Sequence, residues 1–242
     1  MPLSTGCALS AIQSKAISTS RIGIAFLLLL GKPPLVAAES SAHMPSAAPP
    51  HICVVVAPGE TRPEFGCFRI GVAKHLQFST PTVYWHLLMF PTRAAANEVK
   101  STSGIVVEVD GRVWLSEFGP GNFVSQGGRS VADIGPLILV AGKSCDAEIA
   151  YSVMAPSDRS RVHTHSGPEA WYVLAGAQCL ETPAGAIRRH ARETMSAKPN
   201  VPMQLSVTGL DIARALTLVI HDSTQEFGTA SNWKPSGACQ RP

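Results

Sequence analysis

Between Thr82 and His221 the chain repeats one pattern, a short apolar run closed by Gly, Pro or a polar cluster. The runs are TVYWHLLMF, GIVVEV, RVWLSEF, GPLILVAG, AEIAYSVMAP, AWYVLAG, QCLET, PMQLSV and ALTLVIH. Their β-branched and aromatic content and their close spacing predict an all-β domain of antiparallel strands, a barrel or a sandwich. Only PTRAAANEVK and AIRRHARETMSA leave room for a helical turn or two. Residues His43 to Pro63 are rich in Pro, Ala and Ser and are broken only by ICVVVA, so they read as a flexible arm with at most one strand. The last stretch, TASNWKPSGACQRP, reads as an irregular tail wrapped over a barrel.

Sliding the chain by 65 residues overlays Thr82 to Glu117 on Ala147 to Thr182 without a gap. Met89 meets Met154, Pro91 meets Pro156, Ser101 meets Ser166, Gly111 meets Gly176 and Leu115 meets Leu180. The apolar runs and the closing glycine coincide as well, which predicts two copies of one β unit. IRRHAR, inside the second copy, lacks interleaved aromatic residues and reads as a solvated hairpin face.

With 242 residues, 45% hydrophobic and 15% charged, the chain can bury a real core. Lys15 and Arg21 precede the apolar run Ile22 to Gly31, and Val36 and Ala38 offer the small residues of a cleavage site. Residues 1–38 therefore read as a secretory leader, too short in its apolar part to span a bilayer. Its removal would take Lys15, Arg21 and Lys32 and no acid, so the formal charge falls from +3 to zero. That balance argues against nucleic acid as a partner, and no membrane anchor is left once the leader is cleaved. The destination is secreted or periplasmic. Five cysteines remain there, enough for two disulfides and one spare thiol. Cys239 is the candidate to pin the tail, and Cys179 in its apolar run reads equally as a small buried hydrophobe.

The chemistry is concentrated in RVHTHSGPEAWYVLAG. On a strand, His163 and His165 point to the same face. A turn through Ser166, Gly167 and Pro168 then returns Glu169 toward them, and Trp171 and Val173 share its parity as candidate pocket-lining residues. Two imidazoles and one carboxylate that leave positions open suit a divalent metal such as Fe, Mn, Zn, Ni or Cu. The spacing His-x-His-x3-Glu-x6-Gly, from His163 to Gly176, resembles the first motif of the cupin superfamily. That resemblance implies a small antiparallel barrel with a metal site in its mouth and, through the repeat, a double cupin. The units would be 64–146, a degenerate barrel, and 147–224, the metal-bearing barrel, with the arm at 39–63 and the tail at 225–242. In the first copy the ligand positions fall on Glu98, Lys100, Gly104 and Leu137, so that barrel reads as metal-free and structural.

The second cupin motif supplies a further histidine, where this chain has Met203 in KPNVPM. Met203 reads as a pocket-lining core residue before it reads as a soft ligand. His221 is a candidate extra ligand, although a strand-end histidine is more often at the surface. His86 and Tyr151 read as packing residues. No phosphate loop, nucleophile elbow or zinc-protease helix motif occurs. Two function classes stand open: a metal-dependent enzyme of oxygenase, isomerase or hydrolase type acting on a small molecule, or a non-catalytic binder of a small molecule or metal. No catalytic acid or base is legible beyond the ligands, and a homo-oligomer is left open.

Overall fold

The computed structural model describes residues 53–57, 59–140 and 142–240. The leader and most of the arm lie outside the described residues. In chain order the elements begin with β1 (Val54–Val55), β2 (Gly66–Leu76), β3 (Thr82–Phe90), α1 (Arg93–Val99), β4 (Ile105–Val109), β5 (Arg112–Gly119) and β6 (Arg129–Ile138). They continue with β7 (Cys145–Met154), β8 (His163–Thr164), β9 (Glu169–Ala175), β10 (Ala177–Thr182), β11 (Gly185–His190), β12 (Thr194–Ala197), β13 (Gln204–Val207), β14 (Ala213–Asp222) and β15 (Thr229–Ala230). The fold is all-β with several antiparallel sheets, as the run pattern predicts. No helix among the described residues is long and apolar enough to cross a membrane.

A six-stranded sheet in the order β1-β2-β7-β14-β9-β12 forms the middle of the molecule. β7 is buried along all ten residues because both faces of the sheet are covered. Its back-facing side chains, Ala147, Ile149, Tyr151 and Val153, join Phe68, Tyr172, Leu216, Leu218 and Ile220 in one core. The other side of that core is the four-stranded sheet β4-β5-β3-β6, through Trp85, Leu87, Val107, Trp114 and Leu137. The eight of these back-face side chains larger than alanine, at about 2 kcal/mol each, contribute on the order of 15 kcal/mol of burial, against which the conformational entropy of ordering the chain is set. Tyr151 adds a polar tie, its hydroxyl donating to Asp110 Oδ1 at 2.7 Å. Burial and that carboxylate push the phenol up to about 12.

Three regions depart from the sequence-based expectation. β2, expected in the first barrel, is hydrogen-bonded to β7 from Gly66 to Leu76, so a boundary at 146/147 does not separate two hydrogen-bonded units. AIRRHARETMSA forms β11 and β12 and no helix, because β11 pairs along its full length with β10 and presents an exposed face. The tail, expected to be irregular, contains β15, which pairs with β8; its end is fixed, in keeping with the expected role of Cys239, by a disulfide to Cys179 on β10. Cys179 is therefore bonded, not a free hydrophobe. A second disulfide joins Cys53 to Cys67 on β2, and the spare thiol is the buried Cys145. The helix expected in PTRAAANEVK is α1, capped by Thr92 through its Ala95 N–H.

Candidate metal centre

The front face of the central sheet carries the polar residues. Cross-strand register places Glu169 opposite Val219, and Val219 opposite Glu148. The same register places Trp171 opposite Thr217, and Ser152 opposite Cys67. Opposite residues share a face, so Glu169, Trp171, Thr217, Glu148 and Ser152 all look away from the apolar back core. Over this face lie the sheet β11-β10-β13 and the pair β15-β8.

β8 brings the two imidazoles to Glu169. It is held on one side by β15, with Thr229 opposite Thr164 and Ala230 opposite His163. On the other side it is held by backbone bonds between His163 and Met203 of 3.1 and 2.9 Å. As strand parity predicts, both rings lie on one side, centroids 4.9 Å apart and edge to face. Glu169 Oε2 lies 3.0 Å from His165 Nε2 and 3.6 Å from His163 Nε2. The candidate ligand atoms of all three residues fall within 4.8 Å of one another. Two donors bound at about 2.1 Å to one ion must lie within about 4.2 Å of each other, and both carboxylate–imidazole separations satisfy this.

Hydrogen bonding orients each ring. His163 Nδ1–H donates to the Arg161 carbonyl at 2.9 Å. His165 Nδ1–H donates to the Phe227 carbonyl, on the strap that leads into β15. Each ring thereby keeps its Nε2 lone pair for Glu169's side of the site, the tautomer that a metal ligand needs. His165 Nε2 and Glu169 Oε2 are buried and have no hydrogen-bond partner; their 3.0 Å separation is not aligned as one. Burial raises the Glu169 carboxyl, but the two imidazoles outweigh it and hold the group at about 2. Burial lowers the His163 imidazolium, and Glu169 more than reverses that, so its value is raised. Two unsatisfied lone-pair sites, one of them on an ionised carboxylate, are what a divalent cation would satisfy, so the residues present fit such an ion.

The motif glycine has a geometric role. Gly176 sits at φ +69° where the chain leaves β9 for β10, and a Cβ there would lie 2.7 Å from the Ile212 carbonyl oxygen. Only glycine allows both the left-handed conformation and the close approach.

A cavity of about 330 Å³ opens beside the triad. Trp171 borders it, together with Met154, Leu205, Phe227 and the Cys53–Cys67 disulfide. Val173 and Met203, expected to line it, do not. Val173 lies two residues beyond Trp171 along β9 and is fully buried, and Met203 is fully buried in the core with Leu180, Met195 and Val207.

His221 is neither at the surface nor in the triad. It is buried, its Nε2 is 3.1 Å from Glu148 Oε1, and Glu148 also pairs with Arg69. Burial raises Glu148, and the bonds from His221 and Arg69 more than reverse that. Burial lowers His221, and Glu148 more than reverses it. The Phe227 ring stands between this network and the triad, 5.2 Å from the His165 ring, 6.0 Å from that of His221 and 4.9 Å from the Arg69 guanidinium. Arg69, Glu148 and Phe227 are absent from the sequence-based site. Their one local trace is the alternation of DAEIAYS, which marks Glu148 as facing the opposite way from Ile149. His86 packs as expected, bonded to Asp133 and to the Pro120 carbonyl.

No protein-family model and no curated protein matches this chain. Among solved structures, a cupin superfamily protein from Desulfitobacterium hafniense is similar at 10% identity over 36% of this chain and 74% of that one, with a TM-score of 0.30. A double-stranded β-helix domain protein from Klebsiella pneumoniae is similar at 14% identity over 41% of this chain and 80% of that one, TM-score 0.32. An oxalate oxidase is similar at 15% identity over 35% of this chain and 45% of that one, TM-score 0.31. Each likeness is confined to a minority of the chain, and the reading of the site rests on its own geometry.

Proposed function

We propose that this chain is a secreted or periplasmic cupin-type protein that binds one divalent metal through His163, His165 and Glu169 and offers the metal's open side to a small molecule. The observation that carries the reading is the pair of buried, unpartnered atoms His165 Nε2 and Glu169 Oε2, beside two rings whose Nδ1–H groups are already committed to carbonyls. Bound there, the ion would supply Lewis-acid or redox chemistry of an oxygenase, isomerase or hydrolase kind. The protein's part is to orient the imidazoles, keep the carboxylate ionised and surround the reacting molecule with an apolar wall.

A second reading, a non-catalytic binder, is favoured by one feature. Apart from Arg159 and Arg161, the only titratable groups bordering the cavity among the described residues are the three ligands, which leaves no separate acid or base. Elemental analysis of protein recovered from the exported fraction tests the metal assignment. One equivalent of a transition metal per chain is expected, with an intact mass that starts near Glu39. A metal-free product that also takes up none when supplied would overturn it.

A further inference from the structure

We propose that the molecule received by this cavity is a small organic anion with an apolar body, its acid group held by Arg159 and Arg161 at the mouth. The inference deepens the metal-site reading and rests on it only for the inner pole of the ligand. The chain order Arg159, Arg161, His163, His165 places two guanidiniums and two imidazoles at alternate positions, and all four border the same cavity. At about 3.3 Å per extended residue, the guanidinium-bearing positions lie roughly 7 and 13 Å along the backbone from His163, outward from the buried His165.

The backbone of this row is fixed. Arg159 bridges to Ser206, Ser160 N–H donates to the Leu205 carbonyl at 2.8 Å, and Leu205 N–H donates back to Ser160 Oγ at 2.9 Å. The two side chains it presents are exposed, and neither has an ion pair or a hydrogen-bond partner among the described residues. By contrast Arg69 is occupied with Glu148, Arg93 with Glu108 and Arg189 with the Thr194 carbonyl; other unpaired arginines, such as Arg112, Arg192 and Arg214, do not border the cavity. Among the described residues the only carboxylate bordering the cavity is Glu169, which lies buried against the imidazoles and cannot neutralise the rim.

Between the two poles the wall is Met154, Trp171, Leu205, Phe227 and the disulfide, suited to an aromatic or aliphatic body. Among the hydroxyl-bearing residues that border it, Ser152 stands out: its Oγ is buried without a hydrogen-bond partner. A neutral apolar ligand would leave both guanidiniums idle, and a cation would be repelled by them and by the metal. An anion with an apolar body uses every feature of the cavity.

The test uses the full chain, stripped of metal, titrated calorimetrically with 3-phenylpropanoate and with its neutral isostere 3-phenylpropanamide. The acid should bind roughly tenfold more tightly than the amide, the sum of two modest exposed ion pairs. The gap should shrink as salt is raised. In the Arg159→Gln, Arg161→Gln double variant the acid should fall to the affinity of the amide while the amide is unchanged, which also reports that the cavity is intact. Equal affinities in the parent, no binding of either probe, or a gap that survives the double substitution would each overturn the proposal. Titration with Mn(II) of the same preparations separates the two readings. Parent and double variant should take up metal alike, and a parent that prefers the acid but binds no metal sinks the metal reading and leaves this one standing.

Discussion

The stretches Thr82 to Glu117 and Ala147 to Thr182 run in parallel as sequence and part company as structure. At a spacing of 65 residues β3 matches β7, β4 matches β9 and β5 matches β10. Yet β4 and β5 form a hairpin within one sheet, whereas β9 and β10 lie in different sheets. The aligned glycines show why. Before Gly111 stands Asp110, at φ +50°, and the two residues form a tight hairpin turn. Before Gly176 stands Ala175, which does not enter the left-handed region, so the glycine turns a corner and carries the chain over to the sheet that roofs the site. The ligand positions diverge for the same kind of reason. Where the second stretch has strand β8, the first has helix α1, and Glu98 sits on that helix with Lys100 as its C-cap. Alternate positions share a face on a strand and not on a helix, so only the second stretch can aim two side chains at one ion.

The glycine pair gives the largest expected effect on stability. Gly176→Ala should cost about 3 kcal/mol or more, because strain at positive φ is joined by a clash with the Ile212 carbonyl. Gly111→Ala has the same strain and nothing within 4 Å, and should cost about 1 kcal/mol. Urea denaturation of the two variants measures the difference, and equal losses would contradict the corner assigned to Gly176.

Next in size is the strap over His165. A Cβ at Gly228 would lie 2.9 Å from His165 Cε1, so Gly228→Ala should push the strap away and weaken the Phe227 carbonyl bond to the ring. Metal affinity should fall about tenfold, the scale of changes to groups that orient a ligand, with little loss of stability.

A smaller effect is expected from the Arg69–Glu148–His221 network, read as stability against pH. Glu148 is lowered from 4.5, so its contribution is present above that value and is lost as pH falls through its folded value. His221 is raised from 6.5, so its contribution is present below 6.5 and is lost as pH rises through its folded value. The stability advantage of the parent over Glu148→Gln should therefore be flat and greatest between about pH 4.5 and 6.5, and should decline on both sides. An advantage that keeps growing toward pH 9 would show that His221 is not the partner. The smallest effect is assigned to Met203→Leu, a swap of similar volume in a filled core. Metal affinity should change by less than about threefold and stability by less than about 1.5 kcal/mol.

How far the fold could be read from the sequence follows the range of the interactions. Alternation and turn residues act locally, and each apolar run named from the sequence holds a strand. The triad was legible because its three members lie within seven residues and are brought together by parity and one turn. For His221 the sequence offers a candidate extra ligand or a strand-end surface residue and not its actual place, because its partner Glu148 is 73 positions away and nothing near either residue announces the other. The Phe227 carbonyl, 62 positions from His165, is a backbone group and leaves no trace in composition. Parity alone points Val173 to the cavity, and parity sets the face of a strand but not how far along it the cavity reaches. The pairing of Cys179 with Cys239 is likewise set by tertiary approach and could not be chosen from spacing.

The most direct test of the site is a calorimetric titration of Mn(II) into metal-stripped parent, His163→Ala, His165→Ala and Glu169→Gln, beside Glu98→Ala and Lys100→Ala from the aligned stretch. The account predicts one equivalent bound per chain by the parent and by both first-stretch variants. It predicts a loss of about a hundredfold or more in affinity for each ligand variant, beyond what changes to orienting groups produce. A parent that binds no ion, or a His165→Ala protein that binds as tightly as the parent, would contradict the assignment of His163, His165 and Glu169 as a metal centre.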